Sequence, residues 1–217
     1  MKHLILLSGY ARAGKDSFAQ AMKKHDPRVK LVAFAQPLKQ LLASTLDMDL
    51  GVLEDYKNSG LSILHGLDMA NGDVEGGNYR AQTYRELLQR LGTEGMKPLF
   101  GEDVWVRQAI KTIDKWFCHT DIVVITDWRF SIEHHGLVQY YKHGHDYEAG
   151  HGSICSDVTV HTVRIHKPDV AVVDSHSSEN ELLNFPFEIL VGNGGTVADL
   201  QGKAADLLQH ILKGEDD

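Results

Sequence analysis

The segment Gly9-Tyr10-Ala11-Arg12-Ala13-Gly14-Lys15-Asp16-Ser17 carries the residue types and spacing that handle phosphate. Glycines at 9 and 14 let the backbone turn tightly, so successive N–H groups point inward at anionic oxygens. Ala11, Arg12 and Ala13 supply such groups between them. Lys15 adds a mobile point charge suited to the outer phosphates of a nucleoside triphosphate. A helix opening at Lys15 adds the partial positive charge of its N-terminus. Asp16 stands where Ser or Thr usually offers a hydroxyl to Mg²⁺, and Ser17 follows it. Two readings stay open. Either Asp16 binds the ion, directly or through water, or it positions an attacking oxygen; Ser17 then fills a phosphate or metal role. A plain glycine turn with Asp16 as helix cap is the weaker alternative, because strand, spacing, lysine and helix agree.

Asp127-Trp128-Arg129-Phe130 is the second chemical cluster. A carboxylate at the end of a buried strand beside a phosphate loop can hold Mg²⁺ or its water shell. The candidate metal set is therefore Asp16, Ser17 and Asp127. The guanidinium of Arg129 matches a phosphate fork. A strand-end aspartate paired with its own arginine is the plainer reading. Arg80, Arg85, Arg90 and Arg107 form a local run of cations in a chain of net charge -8. Such a run can hold an acceptor phosphate and spread transition-state charge; a solvated helix face paired to Glu86 and Glu94 is the alternative. Trp105 and Trp128 neighbour these residues and could stack on a base or join the core, whereas Trp116 is expected in the core.

The elements that must position these groups follow from periodicity. Leu4–Leu7 is a four-residue apolar run before Ser8-Gly9 and predicts a buried strand. Phe18, Ala21 and Met22 give the following helix its apolar face. Lys30–Phe34 predicts a second strand, and Pro37–Leu46 a helix with proline in its first turn. Asp47–Asn78, rich in glycine, predicts loops with short helices. Thr83 with Glu86 is a capping-box signature for a helix carrying Leu87, Leu88 and Leu91. Val104–Phe117 predicts a helix with Val106, Ala109, Ile110, Ile113 and Trp116 as its stripe. Ile122–Ile125 predicts a buried strand, Phe130–Val138 a helix, and Val158–Ile165 a strand that could be a hairpin arm. Phe187–Val191 predicts a last strand, and Thr196–Leu212 an amphipathic closing helix. Strands alternating with helices imply an α/β fold with a mainly parallel sheet. No linker composition divides the 217 residues, so a single domain is expected.

Composition narrows the partners. The acidic balance argues against a protein that coats a nucleic-acid backbone. No apolar run approaches the roughly 20 residues of a membrane span. Two cysteines, Cys118 and Cys155, give no disulfide framework, so a cytoplasmic setting is expected. His134, His135, His143, His145, His151, His161 and His166 crowd one glycine-rich region with Cys155. Their spacing matches no standard zinc pattern, and the region predicts a lid.

The ordered set Gly9–Ser17, Phe34-Ala35-Gln36-Pro37-Leu38-Lys39, Arg85–Glu94, Asp127–Phe130 and His176-Ser177-Ser178-Glu179 resembles the deoxynucleoside monophosphate kinases of tailed bacteriophages. The resemblance covers residues 1–135 well and 163–212 more loosely. It implies a three-layer P-loop NTPase-type fold, ATP as donor, Mg²⁺, and acceptors such as dGMP and dTMP in a phage-infected host cytoplasm. It places Lys15 at the donor phosphates, Asp16 and Ser17 at the catalytic centre, and Arg129 at the transferring phosphate. Arg85, Arg90, Thr93 and Glu94 would lie near the acceptor, and Asn193 with Gly194 would border the adenine. Arg80, Trp105 and Arg107 complete the expected acceptor wall. Within the single domain, an acceptor-binding helical region is expected at about 47–117 and a lid at about 131–161. A homodimer is left open. The chain departs from the family at Gln36, at Lys167-Pro168, and in a lid bearing histidines in place of arginines. Two rivals remain: another small-molecule kinase acting on a substrate such as dephospho-coenzyme A or phosphomevalonate, and a regulator that binds ATP without transferring phosphate.

Overall fold

In the computed structural model, residues 1–63, 83–144, 157–168 and 181–213 are described. Leu4–Leu7 is fully buried on both sides, which is the signature of a central parallel strand. This strand, β1 (Lys2–Ser8), pairs in parallel with β3 (Ile122–Ile125) and with β4 (Val158–His166). β2 (Lys30–Val32) pairs with β3, and β5 (Ile189–Gly192) with β4, again in parallel. The order is β2-β3-β1-β4-β5. β4 is therefore an interior parallel strand, not a hairpin arm.

Strand alternation divides the core into two layers. Leu4, Leu6, Val123, Ile125, Val158 and Val160 share one cluster with helix α6 (Val104–Phe117) and helix α7 (Ser131–His143). Ile5, Leu7, Ile122, Val124, Val163 and Ile165 share the other with α1 (Lys15–His25) and α8 (Val197–Lys213). Sheet and flanking helices make a three-layer α/β fold with an all-parallel five-stranded sheet. On α6 the stripe ends on Phe117, which is buried, while Trp116 is 37% exposed beneath the Lys30 ammonium. At about 100° per residue, Phe117 lies nearer the middle of the stripe set by Val106, Ile110 and Ile113. Asp114, also buried on α6, accepts from the hydroxyls of Tyr140 (2.7 Å) and Tyr141 (2.9 Å) on α7.

The chain divides into two compact units, residues 1–34 with 105–217, and residues 35–104. The expected helical region at 47–117 is thus shifted. α2 (Gln36–Thr45) packs with α3 (Leu50–Ser59) and α4 (Tyr84–Arg90), while most of α6 belongs to the sheet unit. Thr83 caps α4, accepting from the Glu86 N–H. The helix then widens into a π segment, Leu91–Met96, before α5 (Lys97–Phe100). Gly92 and Gly95, poor helix formers, sit in that segment. Glu54 of α3 is held between Lys39 and Lys57.

Both ends of the expected lid are regular elements. Residues 131–143 are α7, with Leu137, Tyr140 and Tyr141 in the core, and residues 158–161 belong to β4. Residues 145–156, with His145, His151 and Cys155, lie outside the described residues, as do Arg80 and the His176–Glu179 motif. His161 is not a surface histidine: it is 9% exposed and stacks on the 2% exposed His3, Nδ1 of His3 lying 3.2 Å from its Nε2. Among the described residues, no helix is long and apolar enough to cross a membrane.

Burial pulls the His161 imidazole below its ordinary value of 6.5, with His3 and Lys142 adding to the effect and Glu188 opposing it. Burial lowers His134 likewise. The fold therefore disfavours the protonated form of both rings. Above the unfolded value, near 6.5, they cost nothing; as pH falls below it the unfolded chain takes up protons that the fold refuses. The melting temperature should fall as pH is lowered from 7.5 to about 5.5, and His161→Gln should flatten part of the fall. A wild-type melting temperature constant over that window would contradict this.

Candidate functional site

All five strands are parallel, so their carboxyl ends share one edge of the sheet. The chain leaves β1 for β2 and β3 on one side, then crosses to β4 on the other. This switch point at β1 is where such sheets open a crevice for ligand. Gly9–Gly14 emerges there.

Two neighbours fix the loop. A Cβ on Gly9 (φ +151°) would lie 2.5 Å from the Ile165 carbonyl oxygen. A Cβ on Gly14 (φ +98°) would lie 2.5 Å from Nδ2 of Asn193. That Nδ2 donates to the Ala13 carbonyl at 2.9 Å. Arg12 takes a left-handed conformation (φ 64°), and the Ala13 N–H donates to the Tyr10 carbonyl at 3.1 Å. Lys15 donates from Nζ to the carbonyls of Gly9 (2.6 Å) and Tyr10 (2.8 Å), so its ammonium lies over the loop. Arg12, Gly14, Lys15, Asp16 and Ser17 line a cleft of about 230 Å³. Gly9, Ala11 and Ala13 shape the loop without lining that cleft. The Asp16 carboxylate and Ser17 hydroxyl are exposed on the first turn of α1. These hard oxygens suit Mg²⁺, which binds through one or two protein ligands and keeps its waters. Among the described residues no set of three or more His, Cys, Asp or Glu could hold a metal by itself.

Asp127 follows β3, but Oδ1 accepts from the Phe34 N–H at 2.8 Å. This bond braces the end of β2 through one carboxylate oxygen of Asp127. Arg129 is half-buried; its N–H and that of Phe130 donate to Oε2 of Glu133, which fastens this loop to α7. Trp128 is core: it is 1% exposed, its indole N–H donates to the Phe130 carbonyl, and Phe185 and Phe187 meet it edge-on. Trp105 is partly buried against the same cluster, and Arg107 follows it on α6. In the second unit Arg90 pairs with Glu86 at 3.0 Å, and Thr93 and Glu94 lie in the π segment. Burial lowers the Lys57 ammonium there, with Lys39 and Arg85 adding repulsion against the attraction of Glu54. Asn193, expected at the adenine, donates to the Ala13 carbonyl of the Gly9–Gly14 loop; Gly194 lies near Pro168.

Sequence reasoning missed Arg164. Its guanidinium lies 4.9 Å from the Tyr10 ring centroid and 5.2 Å from that of Phe187. An arginine inside the apolar pattern Val158–Ile165 was the available signal.

No family model and no curated protein sequence matches this chain. Among solved structures, the chain is similar to an unliganded sugar kinase from Janibacter sp. HTCC2649, at 9% identity and a TM-score of 0.44, over 96% of this chain and 95% of that one.

The two glycines predict a ranked pair of variants. Gly14→Ala should cost about 1–3 kcal/mol through left-handed strain alone, with the close approach to Asn193 added. Asn193→Ala should cost about 0.5–1.5 kcal/mol, one hydrogen bond. Denaturant midpoints measure both; an unchanged midpoint for Gly14→Ala would contradict this loop geometry.

Proposed function

We propose that this protein is a phosphotransferase that moves the γ-phosphoryl group of ATP to a deoxynucleoside 5'-monophosphate. One observation carries the phosphate half of the reading: a left-handed glycine loop joins β1 to α1 at the switch point, with Lys15 over it. The acceptor half is supported by the resemblance of Arg85–Glu94 and its neighbours to the phage kinases. Arg85 and Arg90, with Arg80, Thr93, Glu94, Trp105 and Arg107, are assigned to the acceptor on that ground.

The chemistry is in-line displacement. An oxygen of the acceptor phosphate forms a bond to the γ-phosphorus while the bond to the β–γ bridging oxygen breaks; ADP leaves and carries the electron pair. The loop N–H groups and Lys15 neutralise the donor oxygens, and Arg129 faces the group in flight. A bound Mg²⁺, held by residues from the set Asp16, Ser17 and Asp127, would add charge neutralisation at the donor phosphates. The protein's main contribution is alignment of the two substrates.

An ADP-release assay with Mg·ATP against all deoxy- and ribonucleoside monophosphates tests this, beside Lys15→Ala. Turnover of at least one deoxynucleotide, reduced by a factor of about 10² or more in the variant, is expected. No turnover across the panel would overturn the nucleotide acceptor. If ATP still binds, the outcome points to another small acceptor or to a regulator.

A further inference from the structure

We infer that Arg164 is a phosphate-binding residue of the loop site, a cation that β4 supplies to a phosphate group of the nucleotide substrate. The inference rests on the reading of Gly9–Ser17 as a nucleotide-phosphate site and adds a residue to it.

Arg164 stands beside Ser8 in the register of β1 and β4, one residue before the loop begins. Alternation places it on the sheet face of Val158 and Val160, opposite the face of Val163 and Ile165. On that face it lies beyond the apolar cluster, half-buried, at the carboxyl edge where ligand binds in such sheets. Its guanidinium contacts the rings of Tyr10 and Phe187. Phe187 in turn packs against Trp128, so the stack runs from the phosphate loop to the Asp127–Phe130 loop.

Packing over two rings restricts the guanidinium, and its five N–H donors outnumber the hydrogen-bond partners it meets among the described residues. One donor reaches the Leu182 carbonyl at a long 3.5 Å. Among the described residues no carboxylate lies within ion-pairing distance of it. An arginine carries five donors, and a partly desolvated cation whose hydrogen-bond partner among the described residues is one distant carbonyl gains from an anion that accepts a bidentate fork, as phosphate does. The sequence shows why β4 would be asked for this cation: residues 143–161 contain neither arginine nor lysine.

The test is calorimetric titration with inorganic tripolyphosphate in EDTA, on wild type, Arg164→Met, Arg164→Ala, Arg164→Lys and Lys15→Ala, each with its ligand-free melting temperature. Wild type binds; Arg164→Met binds about tenfold or more weakly, the loss of one charge-assisted hydrogen bond. Arg164→Lys, which keeps the charge without the fork, falls between them, and millimolar guanidinium restores part of the affinity of Arg164→Ala. Rescue by a small cation is a response that a merely structural arginine would not give. Should Arg164→Met fail to fold, the lysine variant and the rescue decide alone. Wild-type affinity in the Arg164 variants, with Lys15→Ala still impaired, overturns this inference and leaves the loop reading standing. No binding by the wild type overturns both.

Discussion

The space that Gly9 and Gly14 do not fill is the constraint on which the site depends. The Ile165 carbonyl occupies the Cβ position of the first, and the Asn193 amide that of the second. Each intruder belongs to a strand end on the far side of β1 from β2 and β3. The loop is therefore held from outside as well as from within, by a hydrogen bond between residues 180 positions apart in the chain. A loop braced in this way presents its N–H groups without reorganising when charge develops, and preorganisation of that kind is where most of a phosphoryl-transfer enzyme's stabilisation comes from.

The sheet supplies the rest. With every strand parallel, the ends of β1, β3, β4 and β5 deliver Gly9, Asp127, Arg164 and Asn193 to one edge. The groups nearest the cleft divide the labour. Lys15, Asp16 and Ser17 ride on α1. Asp127 and Glu133 hold backbone in place. Arg164 lies over the rings of Tyr10 and Phe187.

Much of this was legible in the sequence, for physical reasons. Leu4–Leu7 and Ile122–Ile125 are apolar at every position, as strands buried on both faces are, and the strand–loop–helix connection at Gly9–Ser17 announces itself through its glycine spacing. What escaped depends on tertiary partners. His161 looked like one of many loop histidines because its burial comes from pairing with β1 and stacking on His3. Trp116 and Phe117 differ by one step of helix rotation, and size alone favoured the wrong one. That Asp127 also braces the end of β2 required Phe34 to be placed beside it. The π segment at Leu91–Met96 left only its glycines as a trace. Arg164 was visible as a polar intruder in a strand, but its meaning required Tyr10 and Phe187.

The central claim is that the backbone of residues 9–17 grips the phosphates of ATP. Amide hydrogen exchange across that segment, with and without ATP, tests it most directly. The account predicts strong slowing at Ala11–Ser17 on ATP addition, reduced in Lys15→Ala. Exchange in this segment that ATP leaves unchanged, while ATP is bound elsewhere or not at all, would contradict it.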